Sequence, residues 1–248
     1  MSGSLVVVGT GPGKAELMTP ATQAALARAT DLVGYGPYLD RVPARQGQQR
    51  HASDNRVELD RARHALSLAA SGRDVVVVSG GDPGVFAMAA AVFEAVEAGD
   101  ATWRQLDIRV EPGVTAMLAA AAEVGAPLGG DFCAISLSDN LKSWATIERR
   151  LKAAAEADFV IALYNPASKA RPRQLGEAFV LLRSLKAADT PVLFVRAAGT
   201  SEAKVVATTL AEADASVADM RTLVIIGAST TRQVGRWTYT PRSEGARS

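Results

Sequence analysis

Short runs of aliphatic and β-branched residues recur along the chain, separated by alanine-rich stretches whose apolar positions return every three or four residues. The runs fall at 5–8, 74–78, 108–111, 132–136, 159–163, 192–195 and 223–226. Apolar strands this continuous suit a sheet buried on both faces. The helical spacing predicts helices over 21–29, 57–70, 84–98, 115–124, 143–157 and 173–186. Thr19-Pro20 supplies a capping hydroxyl and a proline whose missing N–H costs nothing at the first helical position. Arg171-Pro172 opens the last helix in the same way. Strand and helix in alternation give the βαβ signature of an α/β fold. After about residue 200 the rhythm changes: 203–209 and 236–240 read as extended segments without crossover helices. A mostly parallel first half and a mixed second half are expected. Glu111-Pro112-Gly113 marks the boundary, since proline holds Glu111 extended and glycine allows a sharp turn. The expected domains are 1–113 and 114–242, followed by a small polar tail, 243–248, expected to be disordered.

Charge narrows the classes of partner. The 27 Lys and Arg nearly cancel the 26 Asp and Glu, for a net charge of +1, which argues against an electrostatic nucleic-acid binder. One cysteine, Cys133, excludes an internal disulfide and a cysteine-cluster metal site. Two histidines, His51 and His64, do not suggest a histidine-rich metal centre. No run approaches the roughly 18 apolar residues that span a bilayer. The first residues carry no basic leader and turn glycine-rich after four apolar positions, unlike a secretory signal. A soluble, cytoplasmic protein without a membrane partner is expected.

Two glycine-rich loops follow apolar runs. Gly9-Thr10-Gly11-Pro12-Gly13 fails as a P-loop, because Val8 and Ala15 stand where glycine and Ser or Thr are needed. It is also a poor dinucleotide fingerprint. Pro12 intrudes, Lys14 takes a glycine position, the helix begins only near Thr19, and Asp31 opens the second strand where a ribose-binding acid should end it. Ser79-Gly80-Gly81-Asp82-Pro83-Gly84 ends a second strand and opens a helix. There Asp82 either caps that helix or accepts hydrogen bonds from a ligand, with Gly80 and Gly81 allowing close backbone approach. Two such loops at strand carboxyl ends favour a ligand.

These loops, with EPGVTAM at 111–117 and ISLSD at 135–139, in this order and spacing, resemble the tetrapyrrole methylases over about residues 5–240, and GYGPY at 34–38 and LYNPASK at 163–169 narrow the resemblance to one subgroup of that family. The resemblance implies two α/β domains of the tetrapyrrole methylase type with the active-site cleft between them, in a homodimer. It implies S-adenosylmethionine as methyl donor, held largely by backbone, with S-adenosylhomocysteine as product. The positions that match the donor site are Pro12, Gly80, Gly81, Asp82, Val85, Thr115, Ala116, Asn165, Ala198 and Gly199; the family often has methionine where this chain has Asn165. The implied reaction is methylation of C-17 of precorrin-3B with extrusion of C-20, giving precorrin-4. Another ring carbon, or a cobalt-containing macrocycle, is the alternative acceptor. An RNA methylase of the same fold, a non-catalytic nucleotide-binding regulator and a nicotinamide dehydrogenase are further rivals.

Ring contraction calls for a proton acceptor, for which Asp82, Asp139, Glu111, His51 and Tyr35 are candidates. The acceptor bears many carboxylates, so cations in loops are expected to meet it. Lys169, Arg171 and Arg173 are the leading set; Arg41, Arg45, Arg50 and Lys142 are others. Tyr35 and Tyr38, with Asn55, sit in the helix-poor stretch 34–56, read as a lid over the macrocycle. His64, beside Arg61 and Arg63, reads as a surface residue of its helix.

Overall fold

Valines 7 and 8 lie next to each other in β1 (Ser4–Gly9) and are both fully buried, so this strand needs an apolar layer on each side. The computed structural model, which describes residues 3–54, 57–168 and 170–243, supplies both layers. Lys169, Asn55 and residues 244–248 of the expected tail lie outside the described residues. The chain divides into two compact units, Met1–Ala116 and Met117–Ser248.

In the first unit β1 leads through α1 (Pro20–Arg28) to β2 (Asp31–Tyr35), then α2 (Gly36–Leu39), β3 (Gln49–Ser53), α3 (Glu58–Ala70), β4 (Asp74–Ser79), α4 (Met88–Ala98) and β5 (Asp107–Glu111). The sheet order is β3-β2-β4-β1-β5 and every pairing is parallel. Alternation along the strands sends Leu5, Val7, Val75 and Val77 to α3 and α4, and Val8, Val76 and Val78 to α1 and α2. Each such side chain contributes roughly 1.5–3 kcal/mol by leaving water. Thr19 caps α1 as expected, its hydroxyl accepting from the Thr22 amide at 3.1 Å with Pro20 in the first turn.

The second unit holds most of α5 (Ala116–Val124), followed by β6 (Gly125–Ala126), β7 (Phe132–Ser136), α6 (Trp144–Glu156), β8 (Val160–Tyr164), α7 (Gln174–Arg183), β9 (Pro191–Arg196), β10 (Lys204–Thr209) and β11 (Thr222–Ile226). Two short strands, β12 (Arg232–Val234) and β13 (Trp237–Tyr239), complete it. Its main sheet runs β10-β9-β11-β8-β7, with β7 and β8 parallel and the other pairs antiparallel. The expected contrast, parallel first and mixed second, is what the pairing shows. Phe179 of α7 meets Phe194 of β9 edge-on at 6.0 Å inside the core of this unit. Among the described residues no helix is long and apolar enough to cross a membrane.

Four local expectations are corrected. β5 is not buried on both faces: it is an edge strand, with Asp107 and Arg109 exposed and paired at 2.6 Å. α4 begins at Met88, not at 84, because the residues after Asp82 form turns first. α7 starts at Gln174, so Pro172 stands outside it. The stretch 34–56 is not a free lid. It contains α2 and the edge strand β3, and Arg50 ties it down by donating to the carbonyls of Leu39 at 2.9 Å and Val42 at 2.6 Å.

Candidate functional site

Three strand ends of the first unit meet over glycines. A Cβ on Gly9 would lie 2.5 Å from the Gly81 oxygen and 2.8 Å from the Gly113 Cα, and one on Gly113 would collide with that same oxygen. Gly11 and Gly81, both at positive φ, exchange backbone hydrogen bonds of 3.1 and 2.9 Å. The two loops read as separate motifs in the sequence are therefore one clamped structure at the carboxyl edge of the sheet, where open α/β sheets take ligands. Thr10 adds both its amide, at 2.9 Å, and its hydroxyl, at 3.0 Å, to the Ser79 carbonyl.

Asp82 is not the cap of α4, whose N-cap is Ala87. Its Oδ1 accepts from the Gly84 amide at 2.8 Å and its Oδ2 from the Gly113 amide at 3.0 Å. One carboxylate thus fastens the second glycine loop to the end of β5. Phe86 in that loop sits at φ 53°, half exposed, a backbone conformation costly for a bulky residue. Pro12, Gly80 and Val85 are half-buried in these loops, and Thr115 is buried at their foot. The Cα of Thr115 and the amide of Ala116 lie 3.8 and 3.9 Å from where a Cβ on Gly81 would be. The first-unit positions that the family resemblance names as donor contacts are thus gathered at one edge. Tyr38 packs its ring against Gly80 and meets Tyr35 at 5.4 Å. Glu111 ends β5, half-buried.

The second unit has its own strand-end cluster. Asn165 follows β8 at φ 52°, donates from Nδ2 to Ser136 Oγ at 2.9 Å and offers its carbonyl to Arg171 at 3.2 Å. Tyr164 accepts the Met117 amide on its hydroxyl at 3.0 Å. After β9, Ala197 is also at positive φ, Ala198 is buried, and the Gly199 amide donates to Glu123 at 3.2 Å.

Several candidates change role. Arg171 is buried, its guanidinium on the Asn165 carbonyl, so it does not stand with Arg173 as a solvent-facing pair. Arg173 is 85% exposed and lies 3.9 Å from Glu177, beside a broad groove of about 1090 Å³ lined by α6 and α7 residues including Trp144 and Val180. Arg45 and Arg50 are engaged with main-chain carbonyls. His51 is not a loop residue but lies on β3, with Nε2 2.9 Å from Asp31 and Nδ1 3.0 Å from His64. Burial and then the neighbouring His51 hold His64 below the ordinary histidine pKa. Asp139 is exposed and accepts from Gln174 at 3.2 Å. Burial pushes the Cys133 thiol up, away from reactivity. The sequence reading missed Arg61, Glu123 and the role of Tyr164; of these, only Arg61 left a signal, a charge on the apolar face of α3.

Glycines clamp the strand ends of the first unit, and those of the second turn through Asn165 and Ala197 at positive φ. The chain belongs to the tetrapyrrole (corrin/porphyrin) methylases, whose family model matches residues 4–214. It is 62% identical over 247 residues to the precorrin-3B C(17)-methyltransferase of Sinorhizobium sp., covering 98% of this chain and 97% of that one. The crystal structure of the methyltransferase CobJ superimposes with a TM-score of 0.95 at 55% identity, over 97% of this chain and 100% of that chain. The uroporphyrin-III C-methyl transferase from Thermus thermophilus, complexed with S-adenyl homocysteine, shares the fold at a TM-score of 0.69 and 23% identity, over 91% and 97% of the two chains.

Proposed function

We propose that this enzyme transfers a methyl group from S-adenosylmethionine to C-17 of precorrin-3B, with extrusion of C-20 and contraction of the macrocycle to precorrin-4, in cobalamin synthesis. The observation that carries this reading is the 62% identity over nearly the whole of both chains to a C-17 methyltransferase acting on that precursor.

The donor supplies a sulfonium-activated methyl. The chain's task is to hold donor and acceptor in line and exclude water, work that supplies roughly 7–11 kcal/mol of barrier reduction when the geometry is fixed. The first-unit loops suit the task. Gly80, Gly81 and Gly84 leave main chain uncovered, and the Gly11–Gly81 exchange keeps that main chain in place. Asp82 accepts one amide on each oxygen, and a carboxylate has lone pairs left for a ribose hydroxyl or an ammonium group. Val85 and Thr115 add apolar and hydroxyl surface. We assign Pro12, Gly80, Gly81, Asp82, Val85, Thr115 and Ala116 to donor binding, with Asn165, Ala198 and Gly199 as the second-unit contacts. Tyr35, Tyr38 and Arg173 are assigned to the acceptor. The enzyme is taken to work as a homodimer in the cytoplasm, which sedimentation of the purified chain and its fractionation in cells would check.

The test is incubation with precorrin-3B and S-adenosylmethionine carrying a ¹³C methyl, followed by NMR of the product. Label at C-17 of a contracted ring is the expected result. Label at any other carbon, or none, overturns the reading.

A further inference from the structure

Arg61 is a buried cation that no carboxylate among the described residues meets in an ion pair. It is 5% exposed on the face of α3 that also buries Ala62, Ala65, Leu66 and Ala69. Its Nε donates to Ser53 Oγ at 2.8 Å, Nη2 to the Asp54 carbonyl at 2.6 Å and Nη1 to Met88 Sδ at 3.2 Å. All three acceptors are neutral, and among the described residues no carboxylate lies within ion-pair distance of it. Asp54 gives Arg61 only its main-chain oxygen. Arginine is almost never buried to this degree unless paired, because a lone ion forfeits hydration that neutral dipoles replace only in part.

Two of the residues that Arg61 holds, Ser53 and Asp54, line a hollow of about 330 Å³ with Tyr35, Gly36, Pro37 and Ala52 at the carboxyl ends of β2 and β3. The Ser53 hydroxyl accepts from Arg61, and among the described residues its own proton has a long 3.5 Å contact with the Gly34 carbonyl. That proton can be given to a ligand at little loss. A hydroxyl polarised from behind by a buried guanidinium and facing a hollow can donate to an anion there, although Asp54 also lines the hollow and Glu58 lies near enough to act on the guanidinium.

We propose that the hollow takes one peripheral carboxylate of the tetrapyrrole acceptor, with Ser53 donating to it and Arg61 as the buried counter-charge that positions Ser53. This rests on the acceptor proposed above. It also explains why the charge is kept on an otherwise apolar helix face.

The test compares full-length Arg61→Gln, Arg61→Lys and Ser53→Ala with Arg63→Gln, an exposed change on the same helix, in methyl transfer to precorrin-3B. Circular dichroism melts and calorimetry with S-adenosylhomocysteine serve as checks on folding and donor binding. Losing one charge-assisted contact corresponds to a KM for precorrin-3B raised roughly 10- to 100-fold in Arg61→Gln, with kcat and donor affinity changed by less than about threefold. Arg61→Lys keeps the charge and recovers most of the KM, Ser53→Ala raises it several-fold, and Arg63→Gln is unchanged. A folded Arg61→Gln with the KM of the parent, or Arg61→Lys as impaired as Arg61→Gln, overturns the inference by making the residue merely structural. Should Arg61→Gln not fold, an unchanged KM in Ser53→Ala overturns it instead. A parent chain that does not methylate precorrin-3B overturns the proposed function and this inference together, whereas normal turnover with an unmoved Arg61→Gln overturns the inference alone.

Discussion

Gly113 has no room for a side chain, since a methyl there would occupy the space of the Gly81 carbonyl. The same crowding explains why Asp82 reaches the Gly113 amide at all, and it makes Asp82 a structural fastener as well as a proposed ligand contact. Asp82→Ala leaves two amides without their acceptor, so a loss of about 1–3 kcal/mol in urea unfolding is expected, together with weaker donor binding. Asp31 works differently. Burial raises its pKa, but hydrogen bonds from Arg73, Thr30 and His51 outweigh burial and bring it from 3.8 to about 2. A carboxyl whose pKa is lower in the folded chain stabilises the fold above pH 3.8, and that contribution disappears as pH falls through 3.8 towards 2. The size is about 2 kcal/mol. His64, held below 6.5, adds a loss of stability in the same direction as pH falls through 6.5. Thermal melts should therefore decline first below pH 6.5 and again below about pH 4. Asp31→Asn should shrink the lower step, to which Asp158 and Asp219 also contribute, and leave the upper one; a lower step of unchanged size in Asp31→Asn would rule this account out.

Elements with a strong apolar period were legible, and elements held by polar contacts were not. β1, β4, β8 and β11 declare themselves through consecutive aliphatic residues because both faces of a central strand must be apolar. β3 reads Gln-Arg-His-Ala-Ser and is half exposed at a sheet edge, so no hydrophobic signal marks it. Its register comes from pairing with β2, and its approach is fixed by Arg50 and Gln48 bonding the carbonyls around α2 and α1. This is why the stretch reads as a lid in the sequence and is a bound element in the fold. Arg50→Ala should free the Leu39 and Val42 carbonyls and open residues 40–48 to limited proteolysis, while the parent chain resists under the same conditions. Equal cutting of both would show that Arg50 does not anchor the segment.

For the molecule as a whole, two units with separate cores are built on opposite sheet logic, one all-parallel and one mixed. A ligand that binds only the folded chain raises its stability by mass action. S-adenosylhomocysteine at a hundredfold excess over its Kd should add about 2.7 kcal/mol to the unfolding free energy, read as a shifted melt. No shift at saturating concentrations would remove the proposed donor. Much of the proposed donor set is glycine, proline and aspartate at strand ends, which the sequence already marks, since close main-chain approach restricts which residues can stand there. The acceptor side was not. Arg171 and Arg173 are near neighbours in sequence, yet one guanidinium is buried on the Asn165 carbonyl and the other is in solvent.

Periodicity and glycine placement therefore settled on their own the α/β class, the central strands, the capped start of α1 and the two loops that turn at strand ends. These follow from interactions between residues close along the chain and from the need to hide apolar faces. Only the folded chain decided that Gly9, Gly81 and Gly113 form one node, that Asp82 ties β5 to the second loop, and that the Arg61 guanidinium is buried against Ser53 and the Asp54 carbonyl. Those facts depend on which distant segments are brought within hydrogen-bonding reach, and a one-dimensional pattern does not encode that proximity.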